Sequence, residues 1–536
     1  MDYEIHFSND SGFYDHPFPL KIEGGGRYDI FYTLDGSEPT RDSIAYHPGD
    51  VITIADASEN ENILTNRTDI SAGYSEYASN PHGFAVPEQK VDKCTIVRAA
   101  VISKNGDILQ SIQGVYFVGF QNKQAYQNVY VASIVADHED LFGYETGILV
   151  TGETFDTYVQ ECSEETGTFV PEGWFGAAYW MWPANYRNTG KEWEREAQIT
   201  VFDTQGALAL DQLCGIRIHG GGSRGYPCRS IRFYARKEYA GQEVFPAGMF
   251  GEDVEPHVFM LYSGGDDYAF KLKDYIGQSL AQPLNFATQE FIPCCLFVNG
   301  EYWGFYFLSE SFHKYYISDH YDVAEDNVIM MKKEELKEGA NSDLQFFHDM
   351  REFISSNDMS VAENYRKACE LIDIDSYIDY YAFEMYIANT DWPHGNYALW
   401  RTRKPEDSPM GDCKWRWMLF DLNSGAMSPG TLEYDSLARV LEKDSVFDSL
   451  WNSPEFRNSF SERILEIGKT VLDADTCVKF INDYDAAFRG QVALNNERFF
   501  NSSREADYLA YLDGMRTFFT ERYSVVEQFL ADHMEQ

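Results

Sequence analysis

Positive charge is what this sequence has least of. Its 43 Lys and Arg face 86 Asp and Glu, a formal net charge of −43 at pH 7. Such a chain repels nucleic-acid phosphates and anionic membrane surfaces and suits basic partners, unless the acidity serves only solubility. No apolar run reaches the roughly 18 residues of a spanning helix, so no membrane span is expected. The 9 cysteines are odd in number and scattered, without C-x-x-C, which argues against a disulfide framework or a structural zinc site. Cys294 and Cys295 are neighbours in an apolar stretch and read as core. The 12 histidines form no H-E-x-x-H pair. His219 and His394 fall in motif-bearing segments, but a lone histidine is more often structural than a ligand. Residues 1–6 lack a basic stretch followed by an apolar one, so a signal peptide is not expected in the chain as given. Either one has been removed or the protein is cytoplasmic.

Aromatic residues are abundant, with 36 Tyr and 38 Phe, and 536 residues suffice for two to four domains with large cores. The first 120 or so residues alternate in short apolar runs broken by turns, a β pattern without helical period. Within them residues 30–40 give a strand, an Asp35-Gly36 turn and Pro39. Strands are also predicted at 95–103 and 111–120. Residues 121–335 are strand-rich, with a surface insertion expected around 152–190 that holds Trp174, Trp180 and Trp182. Those aromatics fit packing better than substrate binding. Helical periodicity marks 341–388 and 446–533. No tandem repeat or low-complexity segment is present.

The chemistry-bearing residues cluster after the first helical stretch. Asp391 and Asn396 stand five residues apart, and Asp421, Asn423 and Gly425 follow. Phosphoryl transfer needs an Asp to orient the attacking hydroxyl, an Asn five residues on to hold a metal ion, and a later Asp before a glycine to hold metal against phosphates. Protein kinases carry that spacing. Residues 372–388 are periodic as a helix, and Pro393 should open a loop. Residues 397–402 and 414–420 read as strands joined by a charged turn. An antiparallel hairpin of these two would make Asn396 and Asp421 spatial neighbours. The alternative is that Asp391 and Asn396 only cap turns.

Three further segments extend the pattern. Residues 215–233 contain Gly220-Gly221-Gly222, Ser223, Arg224 and Arg229. Residues 262–274 contain Gly264-Gly265-Asp266-Asp267 and Lys273-Asp274. Residues 297–310 contain Asn299-Gly300, a type I′ hairpin signal, and end at Glu310. Glycines let backbone approach a ligand, and an Arg fork matches phosphate, although a tight turn with solvated arginines accounts for the same residues. With the Asp391 and Asp421 segments, and over roughly residues 125–535, the chain resembles the CotH kinase family (spore coat protein H). The resemblance implies an atypical, secreted-type or spore-associated protein kinase with a two-lobed fold, using ATP and Mg²⁺ or Mn²⁺. It assigns Asp391 as catalytic, Asn396, Asp421 and Asn423 to metal, and Ser223, Arg224, Arg229 and Glu310 to the nucleotide. Glu310 resembles the glutamate that orients a nucleotide-binding basic residue in other kinases. Residues 1–122 resemble the β-sandwich module at the C-terminus of chitobiases and β-hexosaminidases, a spacer or binding platform.

The expected architecture is therefore multidomain α+β: an N-terminal β-sandwich (1–122) before a kinase-like domain (123–536) with a β-rich lobe and a helical lobe. Four positions depart from the family pattern. Cys228-Arg229 replaces Lys-Lys, Asn423 replaces an Asp, and Ser309 replaces the Arg before Glu310. Two functions compete: a kinase acting on protein hydroxyls, with a basic, Ser-rich substrate favoured by the charge, and a non-catalytic, pseudokinase-like interaction protein of a spore coat or cell surface. Glycoside hydrolysis rests only on the N-terminal module, and no carboxylate pair supports it.

Overall fold

Alternating apolar positions fold the first 120 residues into β-structure, as their pattern predicts. In the computed structural model, which describes residues 3–164, 167–171, 176 and 178–534, the chain divides into two units. One comprises Met1–Ser263, Ile292–Leu308 and Ala487–Arg504; the other comprises Gly264–Phe291, Ser309–Ala486 and Glu505–Gln536.

The first unit begins with a five-stranded sheet in the order Gly12–Tyr14, Ile108–Val118, Thr95–Ile102, Asp29–Thr33, Ile44–Tyr46. Two small antiparallel pairs accompany it: Ile5–Phe7 with Ile22–Gly24, and Phe18–Leu20 with Ile52–Ile54. Val97, Ala99 and Val101 alternate inward against Leu20, Ile22 and Ile54. The Asp35 carboxylate accepts from the Ser37 main-chain N–H (3.0 Å) and closes the expected turn.

The opposite side of this sheet is also covered. Phe13 packs edge-on against Phe202 (5.4 Å between centroids), and Phe117 against Phe297 (5.1 Å). Phe202 and Phe297 belong to a closed seven-stranded barrel: Tyr130–Ala136, Arg195–Phe202, Leu208–His219, Ser230–Tyr234, Val258–Tyr262, Glu301–Glu310 and Phe291–Val298. Parallel pairing of Tyr130–Ala136 with Phe291–Val298 closes it. Asn299 (φ 44°) and Gly300 (φ 90°) form the expected hairpin turn, and the Asn299 amide binds both main-chain groups of Ala136 at 3.0 Å. Cys294 and Cys295 are wholly buried here, and all 9 cysteines are free thiols. In the insertion, Trp182 is buried beside the buried Tyr179 and Tyr186, so it fills core; Trp174 lies outside the described residues.

The second unit is built on a four-stranded antiparallel sheet ordered Glu335–Glu338, Val328–Lys332, Ala398–Thr402, Arg416–Met418. The helix Ile374–Tyr386 is buried along almost its whole length and contacts the strand Arg416–Met418 and the helix Pro454–Lys469. The Asp373 side chain caps its start by accepting from the Ser376 N–H. Arg463 clamps Asp379 through Nε (2.6 Å) and Nη2 (3.1 Å). On this helix Tyr377 and Tyr381 stack on each other, Tyr381 stacks on Phe447, and Trp417 meets Tyr377 edge-on. Such burial is the main stabilisation available to a helix of this length.

Candidate functional site

The second unit assembles the Asp391 and Asp421 segments on the expected hairpin. Ala398 pairs with Met418, Leu399 with Trp417 and Trp400 with Arg416. Asn396, two residues before the first strand, and Asp421, three after the second, therefore stand at the same end. Both have left-handed backbones, φ 52° for Asn396 and 67° for Asp421.

The loop before Asn396 is tied down at several points. The helix stops at Ala388 (φ 55°). Asn389 then binds back to Glu384: its main-chain N–H donates to the Glu384 carbonyl (3.2 Å) and its Nδ2 to Glu384 Oε2 (2.9 Å). The Asn389 Oδ1 accepts from the Asp391 main-chain N–H at 3.2 Å. Trp392 is buried against Tyr381 (4.8 Å), and the Trp392–Pro393 peptide bond is cis. Thr390 sits where a Cβ on Gly425 would lie 1.9 Å from its Oγ1, so only glycine fits at 425.

The Asp421 segment is held by the segment 264–281. Asp274 Oδ1 accepts from the Leu422 N–H (2.7 Å), and Gln278 Nε2 donates to the Leu419 carbonyl (2.8 Å). Asn423 bridges two groups: its Oδ1 accepts from the Asp266 N–H (3.0 Å), and its Nδ2 donates to Asp421 Oδ1 (2.6 Å). The first bond fixes the amide orientation and so puts the NH₂ on Asp421. This competes with the expectation that Asn423 ligates metal through its carbonyl oxygen, because that oxygen already accepts the Asp266 N–H.

Asp421 is open to solvent at its side chain yet ringed by protein. Loss of solvation raises its pKa above the ordinary 3.8, and the charges of Asp266 and Asp391 add to the rise. The Asn423 hydrogen bond and the Lys332 charge oppose it. Lys332 ends the strand Val328–Lys332, opposite Ala398, with Nζ 4.2 Å from the Phe420 ring centre. The Asp391 loop and Asp421 thus share one end of the hairpin. Among the described residues, no group of three or more His, Cys, Asp and Glu is arranged to hold a metal ion by itself.

Glu310 ends its strand with Oε1 on His320 Nε2 (2.6 Å) and Oε2 on the Glu290 N–H (2.9 Å). Burial lowers the His320 pKa, but the Glu310 hydrogen bond and charge outweigh it and leave a net rise.

In the first unit the glycine segment makes a tight turn, with Gly220 at φ 121°. Ser223 is half-buried within it. Arg224 donates from Nε to the Gly220 carbonyl (2.7 Å) and from Nη1 to those of Arg187 and Asn188. Burial lowers its pKa to about 10, and the neighbouring Arg187 and Arg232 charges contribute. Arg229 is 1% exposed and lies over the Tyr186 ring. Its Nε, Nη1 and Nη2 donate to the main-chain carbonyls of Arg224, Leu149 and Ile70. That commits the guanidinium to the fold, a use that residue type and spacing do not reveal.

Three participants were not legible as such: Glu384, Asn389 and Lys332. Glu384 is wholly buried, and burial lifts its pKa to about 8 against the hydrogen bond from Asn389, with Asp274 and Asp421 adding repulsion. An acidic residue at a core position of the helical pattern is the one signal that could have found it.

The second unit brings the Asp391 and Asp421 segments to one end of a hairpin, and the first unit carries a β-barrel with a glycine turn. The family model for CotH kinase protein matches residues 216–526, and the chain belongs to that family. The Fn3 associated model matches residues 20–115, the β-sandwich-type module. A search of curated proteins finds no match to the chain. Family membership gives a protein-kinase-like function and a protein as the substrate class.

Proposed function

We propose that this chain transfers the γ-phosphate of ATP to protein hydroxyls, with Mg²⁺ or Mn²⁺ held at Asp421, and that residues 1–122 and 123–536 are its two domains. The observation that carries the reading is the hairpin of Ala398–Thr402 with Arg416–Met418, which has the anchored Asp391 loop leading into one end and Asp421 leaving the same end. The Asp391 main chain is anchored by Asn389, while its carboxylate makes no hydrogen bond among the described residues. It is free to take a proton. The substrate oxygen would bond to the γ-phosphorus as the bond to the bridging oxygen breaks; ADP leaves, and the hydroxyl proton passes to Asp391.

The residues at Asp421 fit a divalent cation. Asn423 occupies Oδ1 and leaves Oδ2 open among the described residues. Surplus negative charge from Asp266 and Asp391 favours a cation there. Asn396 would complete the protein donors, with the remainder from water and phosphate oxygens. Such a cation would offset phosphate charge. Ser223 and Arg224, whose Nη2 is uncommitted among the described residues, are proposed to meet phosphate; Arg229 is proposed to brace the glycine turn, and Glu310 to orient His320. The acidic charge favours a basic substrate, and a Ser-rich one would offer the acceptor hydroxyls.

A second reading, a non-catalytic interaction protein, is favoured by Arg229 being spent on carbonyls and by the neutral Asn423. The purified chain incubated with γ-labelled ATP, Mn²⁺ or Mg²⁺ and a basic Ser-rich protein decides between them. Label on the protein is expected. ATP-dependent thermal stabilisation without label would establish the second reading, and neither signal would remove nucleotide from the account.

A further inference from the structure

A wholly buried carboxyl needs a reason. Glu384 is 0% exposed in the last turn of the helix Ile374–Tyr386, where its neighbours Phe383, Met385 and Tyr386 are equally buried. An apolar side chain would pack there without the cost of desolvating a carboxyl. Its Oε2 accepts from Asn389 Nδ2 at 2.9 Å, and the hydroxyl of the buried Tyr380, one turn back on the helix, also bears on the carboxyl.

Asn389 is itself buried, and both ends of its amide are used. The NH₂ faces Glu384, so the carbonyl must turn the other way, where it accepts from the Asp391 N–H at 3.2 Å. Exchanging the two ends would set an NH₂ against an N–H donor. The carboxyl thereby decides which end of the amide meets Asp391.

We infer that Glu384 is a positioning residue for phosphate transfer: it orients the Asn389 amide, and through it fixes the main chain of Asp391. The inference rests on the reading of Asp391 given above, but its geometric half stands apart from it. Glutamine at 384 keeps a carbonyl oxygen able to accept from Asn389 and matches a neutral carboxyl in charge and shape. Leucine keeps only the volume. The role therefore separates glutamine from leucine, as a purely space-filling role would not.

The test compares the full-length wild type with Glu384→Gln, Glu384→Leu, Asn389→Ala and the Glu384→Leu/Asn389→Ala double variant. Hydrogen exchange is read over residues 388–396, together with kcat and KM for ATP on a protein substrate. In the leucine and alanine variants, exchange in the loop is expected to accelerate about tenfold or more while the helix Ile374–Tyr386 stays protected. In the same variants kcat is expected to fall about 10- to 100-fold with KM for ATP nearly unchanged. The double variant should lose no more than either single one, and Glu384→Gln should stay near wild type. Wild-type loop exchange in both single variants, or a loss in Glu384→Gln equal to that in Glu384→Leu, overturns the inference. If Glu384→Leu fails to fold, Asn389→Ala decides: wild-type loop exchange there is overturning. A wild type that transfers no phosphate removes the kinase reading, and the exchange data still decide the positioning.

Discussion

The Nδ2 of Asn423 lies 2.6 Å from Oδ1 of Asp421, so the residue that departs from the family's aspartate makes a bond that an aspartate cannot. Asn423 clasps the proposed metal carboxylate instead of adding a second one.

From this bond follows the outcome of Asn423→Asp. Without metal, the substitution exchanges a charge-assisted hydrogen bond for two facing carboxylates, at a cost on the order of 1–3 kcal/mol. The Asp266 N–H remains to hold the new side chain in place. With Mn²⁺ or Mg²⁺ the same pair becomes two charged ligands, so affinity should rise and the melting temperature should recover. Titration calorimetry with ATP present, paired with melting curves with and without metal, checks both halves. Equal metal affinity in the two chains would show that the side chain at 423 never faces the ion.

Asp391→Ala should remove phosphate transfer by a factor on the order of 100 or more and leave melting nearly unchanged. The Asn389 bond to residue 391 uses the main-chain N–H and survives the substitution. A fold kept intact without activity is the expected pair of results from circular dichroism and labelled-phosphate transfer. Wild-type transfer in the variant would deny Asp391 its role.

The hairpin that unites the Asp391 and Asp421 segments was legible as two apolar strands joined by a charged turn; its register was not, because both strands are buried at every position and no alternation marks it. The β-sandwich was legible from Asp35-Gly36 and the spacing of short strands. What escaped sequence reasoning depends on distant partners. Asp274 binds the Leu422 N–H across 148 residues, and nothing near either position announces it. Barrel closure depends on Tyr130–Ala136 meeting Phe291–Val298 in parallel, again a long-range pairing. Arg229 looked like a phosphate ligand because residue type carries no record of burial, yet each of its three guanidinium nitrogens donates to a main-chain carbonyl. Glu384 sat in a helical pattern where a glutamate ordinarily marks the wet face.

Gly425→Ala should destabilise the Asp391 loop. The added Cβ falls 1.9 Å from Thr390 Oγ1, and the φ of 57° disfavours any L side chain. Relief by backbone movement displaces Thr390, the residue before Asp391. A loss of about 2–4 kcal/mol is expected by urea denaturation, with transfer falling more than stability alone explains. Thr390→Ala added to it should restore part of the stability, because the nearest colliding atom is gone while the strained φ remains. No rescue by the second change would place the defect elsewhere than in this contact.

Glu384→Gln should flatten the pH dependence of stability. In the folded chain the Glu384 pKa stands at about 8, and its ordinary value is 4.5. The folded state therefore keeps a proton that the unfolded chain releases above 4.5. By linkage, stability is fullest below about 4.5, declines as pH rises, and levels off above about 8. Across that window the carboxyl costs the native state a few kcal/mol, most of it desolvation. Asp421 and Asp267 shift in the same direction, so the wild-type curve alone cannot be credited to one residue. The difference between wild type and Glu384→Gln isolates it, since glutamine has nothing to titrate. Urea midpoints measured at several pH values from 5 to 9 should diverge steadily, with the glutamine variant the more stable at the alkaline end. Parallel curves would mean that Glu384 ionises in the folded state near its ordinary value, and the buried carboxyl would then need a cationic partner to explain its place in the core.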